Sequence, residues 1–405
     1  MKILIFSEEY IKITKGMFEV WMNHARESSK RRHVDILLNQ EHWAFNEART
    51  LFKANKKVAV QHLPFKMPST YLQKMFVSCE KTWVLRVAEL ILGQTINLVF
   101  FPLIIIYLSV RLYKLKPNAI FSHNGGWPAG QLCRWIIVAA MIARVPKRIF
   151  IIHSYPGKLP RFTGRLLMPM RYVQARLIDF CSTSIITVSD AVKDTLQSEV
   201  FKRPVLRIHN GIPLSPSIGK PQSYSPPLEW NPIGLSVGFV GALYPHKGPH
   251  VLLDAFRLIE VSCELALLGP IEPNYLKPLK KKSELCPNKV FFLGFHQDVD
   301  AFMEKIDLLV VPSIAQESFG MVILEAMKHS KPVICSDFGG MKEVVEDGVT
   351  GLVVPAGDEQ ALAQAITKLL ANKEMRRQMG AAGYQRLKKL FTSEKMVDRY
   401  DELLG

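Results

Sequence analysis

The residues best suited to chemistry lie in three short segments, each an apolar run that gives way to polar residues and glycine. The richest is Val311-Pro312-Ser313-Ile314-Ala315-Gln316-Glu317-Ser318-Phe319-Gly320-Met321-Val322, continuing to Glu325. A buried strand ending at Pro312, a polar loop carrying Ser318 and a helix opening near Phe319–Gly320 would aim unbonded amides at a ligand. Those amides belong to Phe319, Gly320, Met321 and Val322, and together they make an anion site. Glu317 precedes the helix and Glu325 lies on it. A carboxylate accepts two hydroxyl hydrogen bonds side by side, which suits the vicinal diol of a ribose or a sugar. The plainer readings are a helix cap for Glu317 and a solvated helix face for Glu325.

The second segment is Val240-Gly241-Ala242-Leu243-Tyr244-Pro245-His246-Lys247-Gly248-Pro249-His250, between an apolar strand and a helical run. Lysine beside glycine at a helix start suits a diphosphate, although a surface helix start reads the same way. It is no P-loop, because His246 stands where the second glycine must precede the lysine. No G-x-G-x-x-G is present, so a redox dinucleotide has no motif. The third segment, Ile151-Ile152-His153-Ser154-Tyr155-Pro156-Gly157-Lys158, places His153 at a strand end; a lone histidine there is either a bonded core residue or a site residue. Lys158, Arg161 and Arg165 follow and could hold an acceptor phosphate. His123-Asn124-Gly125-Gly126 ends the preceding strand and is a second acceptor candidate through His123. Asp298-Val299-Asp300 has the D-x-D form of metal-dependent sites, but its place before a helical stretch reads as an acidic helix cap. No metal and no cofactor are expected.

Glu317-Ser-Phe-Gly through Glu325, then Lys331-Pro-Val-Ile and Gly339-Gly340-Met-Lys-Glu343-Val-Val-Glu346-Asp347-Gly348-Val-Thr350-Gly351, resembles the family-four retaining glycosyltransferases of the GT-B fold. The match is good over roughly 205–390 and loose before it. The two glutamates fit that family's E-x7-E motif. The resemblance implies that Glu317 contacts the donor sugar, that Glu325 contacts the nucleotide ribose, and that Lys247 beside Gly241 binds phosphate. It also implies a functional histidine at His153. Gly16 stands where family members carry paired glycines near the donor phosphates, here as Lys15-Gly16. The arginine usual after the first glycine of the second loop is Ala242 here, and His246 or Arg207 could stand in for it. Front-face substitution within an ion pair is the mechanism the resemblance implies.

Positioning these loops requires strands that end beneath them. Short apolar strands alternate with helical stretches along all 405 residues, the pattern of parallel sheets covered on both faces. Strands are expected at 2–7, 34–38, 119–122, 148–153 and 184–188. A second set is expected at 235–240, 263–268, 290–293, 308–311, 332–335 and 351–354. Prolines 213, 216, 221, 226, 227 and 232 mark a break near 205–232. The expected architecture is therefore two Rossmann-like, doubly wound domains facing a cleft: 1–205 for the acceptor, 206–385 for the donor. A final helix near 386–405 should pack back on the first.

Charge is uneven. Residues 1–200 hold 28 Lys and Arg against 13 Asp and Glu, whereas residues 201–405 hold 24 against 23. Such a field draws anionic partners. No nucleic-acid module or aromatic-spaced basic platform is present, so nucleic acid is not expected. Leu90–Val110 carries no charge and is flanked by Arg86, Arg111, Lys114 and Lys116. It reads as a span, as apolar helix lying in the membrane interface, or as buried core. Six cysteines without a C-x-x-C pair read as reduced thiols in the cytoplasm, and the first apolar run is too short for a signal peptide. The expected protein is a cytoplasmic glycosyltransferase, peripheral at the inner face of the membrane. It would move sugar from a nucleotide-sugar to a glycan or lipid-linked acceptor in envelope polysaccharide or lipopolysaccharide synthesis. A GT-B epimerase, a glycogen-type synthase or a non-catalytic membrane-associated relative are the alternatives.

Overall fold

The computed structural model describes the chain except residues 9–14, 40, 41, 43, 65–82, 129, 158–160, 215–227, 297 and 316; side chains of 15, 83–98 and 161–167 also lie outside the description. It divides into two compact units. One comprises Met1–Val188, Lys193–Ile208 and Val397–Gly405; the other comprises Ser189–Val192 and His209–Met396.

The first unit holds a seven-stranded sheet built from β1 (Lys2–Ser7), β2 (His33–Leu38), β3 (Val58–His62), β4 (Ala119–Asn124), β5 (Lys147–Ile152), β6 (Ser184–Thr187) and β7 (Val205–Arg207). Its order is β3-β2-β1-β4-β5-β6-β7, and its paired strands are parallel. Strands β1, β4 and β5 are buried over most of their length because helices cover both faces. β3 was not expected from the sequence: its residues are only partly buried, so it lacks the continuous apolar run of its neighbours. β7 has three residues, two of them exposed.

The apolar stretch 90–110 lies within one helix, Trp83–Leu115, with Pro102 inside it. That helix buries Ile104, Ile105, Leu108 and Leu112 and packs against the Gln131–Ile142 helix. Phe101 meets Trp135 edge-on there, ring centroids 5.3 Å apart. Among the described residues no helix is long and apolar enough to cross a membrane.

The second unit holds β8 (Leu235–Val240), β9 (Cys263–Leu268), β10 (Lys289–Gly294), β11 (Leu308–Val311), β12 (Val333–Ser336) and β13 (Gly351–Val354), all parallel, in the order β10-β9-β8-β11-β12-β13. The strand order reverses between β8 and β11, and in doubly wound sheets ligands bind outside the carboxyl ends of strands at such a point. The helix Glu359–Ala371 shows how local sequence builds the cover. Asp358 accepts the Gln360 and Ala361 amides at 3.0 and 2.9 Å, and Leu362, Ala365, Ile366 and Leu369 turn one face into the core. At the C-terminus there are two helices, Lys373–Leu390 and Ser393–Asp401, rather than one over 386–405. Between them Gly211 lies so close to the Thr392 backbone that a Cβ would fall 2.2 Å from the carbonyl oxygen.

Candidate active site

In the second unit, the loops after β8 and β11 are stitched together at the reversal point. Pro245–Lys247 form a single turn closed by Gly248. The Ile314 amide donates to the His246 carbonyl at 3.0 Å. Gly248 has φ +70°, and a Cβ on it would lie 1.9 Å from the Pro312 carbonyl oxygen. Only glycine permits that approach. As a result Lys247 Nζ pairs with Glu317 Oε2, two groups 70 residues apart in sequence. Their side chains stay 30% and 20% exposed, so both can reach a ligand. The Glu317–Ser318 backbone rests on Gly339-Gly340, where the Gly340 amide donates to the Glu317 carbonyl at 2.9 Å.

The Met321–Lys328 helix starts at Gly320 and buries Ile323, Leu324, Ala326 and Met327. Its opening amides, at Met321 and Val322, have no carbonyl one turn earlier within the helix. Glu325 is half-buried on this helix. The Phe319 side chain is buried against His209 and Phe391, so only its backbone is available to a ligand. Gly241 ties the ends of β8 and β9 through its amide, which donates to the Leu268 carbonyl at 2.9 Å. His246 stacks beside Tyr244. Burial first, and then the charge of Lys247, push it below its ordinary 6.5 against the opposing pull of Glu317. It is therefore neutral at pH 7 and does not replace the cation that Ala242 lacks. Arg207 belongs to the other sheet, in β7.

Asp298 accepts the Ala301 amide at 3.1 Å as cap of the Val299–Lys305 helix. Asp300 faces Lys328 at 3.1 Å and His329 at 2.9 Å. Both carboxylates of the D-x-D thus have structural partners.

In the first unit, Gly16 lies in the opening turn of the Lys15–Arg31 helix that follows β1. His123, expected to meet an acceptor, is instead fully buried. Its Nε2 is 3.1 Å from His24 Nδ1 and its Nδ1 is 3.0 Å from His153 Nε2. With both nitrogens engaged it has nothing left for an acceptor. His153 follows β5, is itself buried and stacks on His123 with an interplanar angle of 11°. Its Nδ1 is buried without a partner among the described residues. Burial pushes His24 and His153 down to about 3 and His123 well below 6.5, so all three rings are neutral at pH 7. His24 sits on a helix 99 residues from His123, with no local pattern to mark it. Lys158 lies outside the described residues; Arg161 opens the Arg161–Cys181 helix, with its side chain and that of Arg165 outside them.

Residues 227–386 match the family model for glycosyl transferases group 1. That stretch is similar to group 1 glycosyl transferases, and it contains Gly241, Lys247, Glu317, Ser318 and Glu325. Among curated relatives, the phosphatidyl-myo-inositol mannosyltransferase of Mycobacterium leprae is 32% identical over 50% of this chain and 54% of its own length. The capsular polysaccharide biosynthesis glycosyltransferase CapM of Staphylococcus aureus is 27% identical over 70% of this chain and 75% of its own. The chain spans about half the length of the curated relatives it matches most strongly. HepE of Anabaena, solved with UDP, has a TM-score of 0.72 and 22% identity, covering 100% of this chain and 99% of its own. That likeness is one of fold, and with the two parallel sheets it makes the chain a GT-B protein. The matched stretch contains the whole of the second sheet, β8 to β13.

Proposed function

We propose that the chain is a nucleotide-sugar-dependent glycosyltransferase. It moves a hexosyl or related sugar, with retention, to a glycan or lipid-linked acceptor in cell-envelope polysaccharide or lipopolysaccharide assembly. The Lys247–Glu317 ion pair at the strand-order reversal of the second unit carries this reading. A nucleoside diphosphate offers Lys247 a stronger anion than one carboxylate, and its arrival frees Glu317 for the hydroxyls of the sugar. Glu325, one helix face away, takes the ribose diol. The opening amides at Met321 and Val322 share the phosphate charge.

Catalysis is then electrostatic: negative charge growing on the leaving diphosphate is met by groups already in place, while Glu317 orients the sugar; His153, in the first unit, is given its part by the family resemblance alone. No metal is required, and Asp298 and Asp300 are committed to their own helix and its neighbour. Retention, by front-face attack within an ion pair, is what the resemblance of Glu317 and Glu325 to the E-x7-E motif implies. The acceptor class draws on two relatives, one named for a phosphatidylinositol lipid and one for capsular polysaccharide. The basic first unit suits either, presented from an anionic membrane.

The test is a thermal-shift panel of nucleotides and nucleotide-sugars on the wild type and Glu325→Ala, followed by donor hydrolysis. A ligand at 100 times its Kd adds about 2.7 kcal/mol to stability. One nucleotide family should raise the wild-type Tm, leave Glu325→Ala unmoved and be hydrolysed slowly. No shift with any nucleotide, and no turnover, would make the chain a non-catalytic relative.

A further inference from the structure

His24, His123 and His153 form a continuous string, linked Nδ1 to Nε2 at 3.1 and 3.0 Å across three separate elements. Every ring is at least nine-tenths buried. Each neutral imidazole carries one proton, and each of the two links needs one. The three rings therefore have two consistent arrangements. In one, all protons sit on Nε2, and the outermost N–H belongs to His24. In the other, all sit on Nδ1, and the outermost N–H belongs to His153. A ring breaking the sequence would leave two lone pairs or two protons facing each other at 3 Å.

The surroundings favour the second arrangement. Arg32 stands just past the C-terminal end of the helix that carries His24, paired with Asp401, and its positive charge acts on that ring. A lone pair on His24 Nε2 is compatible with that field, and an N–H is not. His24 is held in place between Phe121, edge-on at 4.6 Å, and Tyr400 at 4.7 Å. At the opposite end, His153 Nδ1 is buried with no partner among the described residues. Such a group persists where a ligand completes it.

We propose that His24 and His123 are positioning residues that hold His153 with its proton on Nδ1, so that it meets the substrate as a hydrogen-bond donor to an electron-rich oxygen. The donor role rests on the transferase reading of His153. The tautomer assignment does not.

The two are separated by experiment. Solid-state 15N spectra of the full chain labelled at histidine, with His153→Gln used to assign the signal, read the tautomer directly. The wild type should show His153 protonated on Nδ1. His123→Phe keeps the ring stack but removes both links, and should return His153 to a mixture of tautomers. His123→Asn keeps an amide where Nδ1 was but loses the link to His24, and should restore the wild-type signal only in part. His24→Phe, which cuts the string one link earlier, gives the same reading if His123→Phe does not fold. A wild-type His153 protonated on Nε2, or a tautomer unchanged in both Phe variants, overturns the proposal. In donor hydrolysis, His123→Phe should lower kcat about tenfold with His123→Asn recovering part of it. Absence of hydrolysis in the wild type would end the transferase reading while leaving the spectra to decide the string.

Discussion

Lys247 and Glu317 form an ion pair that, on the proposed reading, a nucleotide-sugar opens. The ammonium and carboxylate neutralise each other in the ligand-free site, which spares each an unpaired charge in a part-buried place. Lys247→Ala should therefore weaken nucleotide-sugar binding by roughly ten- to hundredfold, the scale of one charged hydrogen bond, as titration calorimetry would measure. Ala242→Arg should act in the opposite sense, tightening the same ligand about tenfold, since neutral His246 leaves room for another cation. An unchanged Kd in Ala242→Arg would mean that position 242 does not face the phosphates. The buried histidines make a separate prediction about pH. An unfolded histidine takes up a proton near 6.5, whereas His24 and His153 resist protonation down to about 3. Below pH 6.5 the unfolded chain thus binds more protons, and stability falls by roughly 1.4 kcal/mol per pH unit for each such ring. Melting curves from pH 7.5 to 5 should show this decline; a flat profile would mean the rings protonate in place. The places of Glu317, Lys247 and Glu325 in the fold were readable from sequence because each sits in a loop or helix directly after an apolar strand. The histidine string was not, because its partners meet only through the sheet. Taken singly, His123 looked like an exposed strand end.

At the scale of elements, the site depends on close backbone approaches that fix the loops. Gly340 has an ordinary negative φ, yet a Cβ there would lie 2.1 Å from the Ser318 carbonyl oxygen. Gly340→Ala must therefore displace the Glu317–Ser318 backbone, and donor affinity should fall by about tenfold, the cost of moving one oriented charge. Gly348 offers the contrasting case. It has φ +73° with nothing within 4 Å of its missing Cβ. Gly348→Ala should cost about 1–2 kcal/mol of stability through backbone strain alone and leave donor affinity unchanged. If both variants lowered affinity equally, the stitching of the Glu317 loop would not be what sets the site. The second sheet was legible from sequence because its central strands are mostly apolar and fully buried. β3 and β7 were missed because edge strands need no such run. The glycine pair at 339–340 appeared only as part of a motif, and its reason, the carbonyls pressed against it, exists only in the folded chain.

At the scale of the whole molecule, charge and exposed apolar surface fall in the same unit. Between residues 99 and 181 the only acidic residue is Asp179, and Arg176 pairs with it at 2.7 Å. The Trp83–Leu115 helix leaves Val99, Leu103, Ile106, Val110 and Tyr113 exposed, spaced alternately four and three residues apart, while its opposite side is buried. The Arg161–Cys181 helix exposes Met168, Tyr172, Val173 and Phe180. Both pack against the Gln131–Ile142 helix, so the two apolar stripes border one layer. Water penalises such a surface, and anionic headgroups compensate the arginines and lysines around it, at about 1 kcal/mol per cation. Such a combination would suit a helix lying at a membrane interface. The chain should therefore co-sediment with phosphatidylglycerol vesicles and much less with phosphatidylcholine vesicles, and rising salt should weaken but not abolish the binding. Leu103→Ser with Ile106→Ser removes two side chains worth about 1.5–3 kcal/mol each on full insertion, so partitioning should fall by around a hundredfold while Tm stays within a few degrees. Neither side chain is part of the core, which makes the loss specific to the surface. Equal recovery of wild type and double variant on phosphatidylglycerol would refute an apolar contact and leave only electrostatic adhesion. Recovery of neither would remove the membrane from the account of the acceptor.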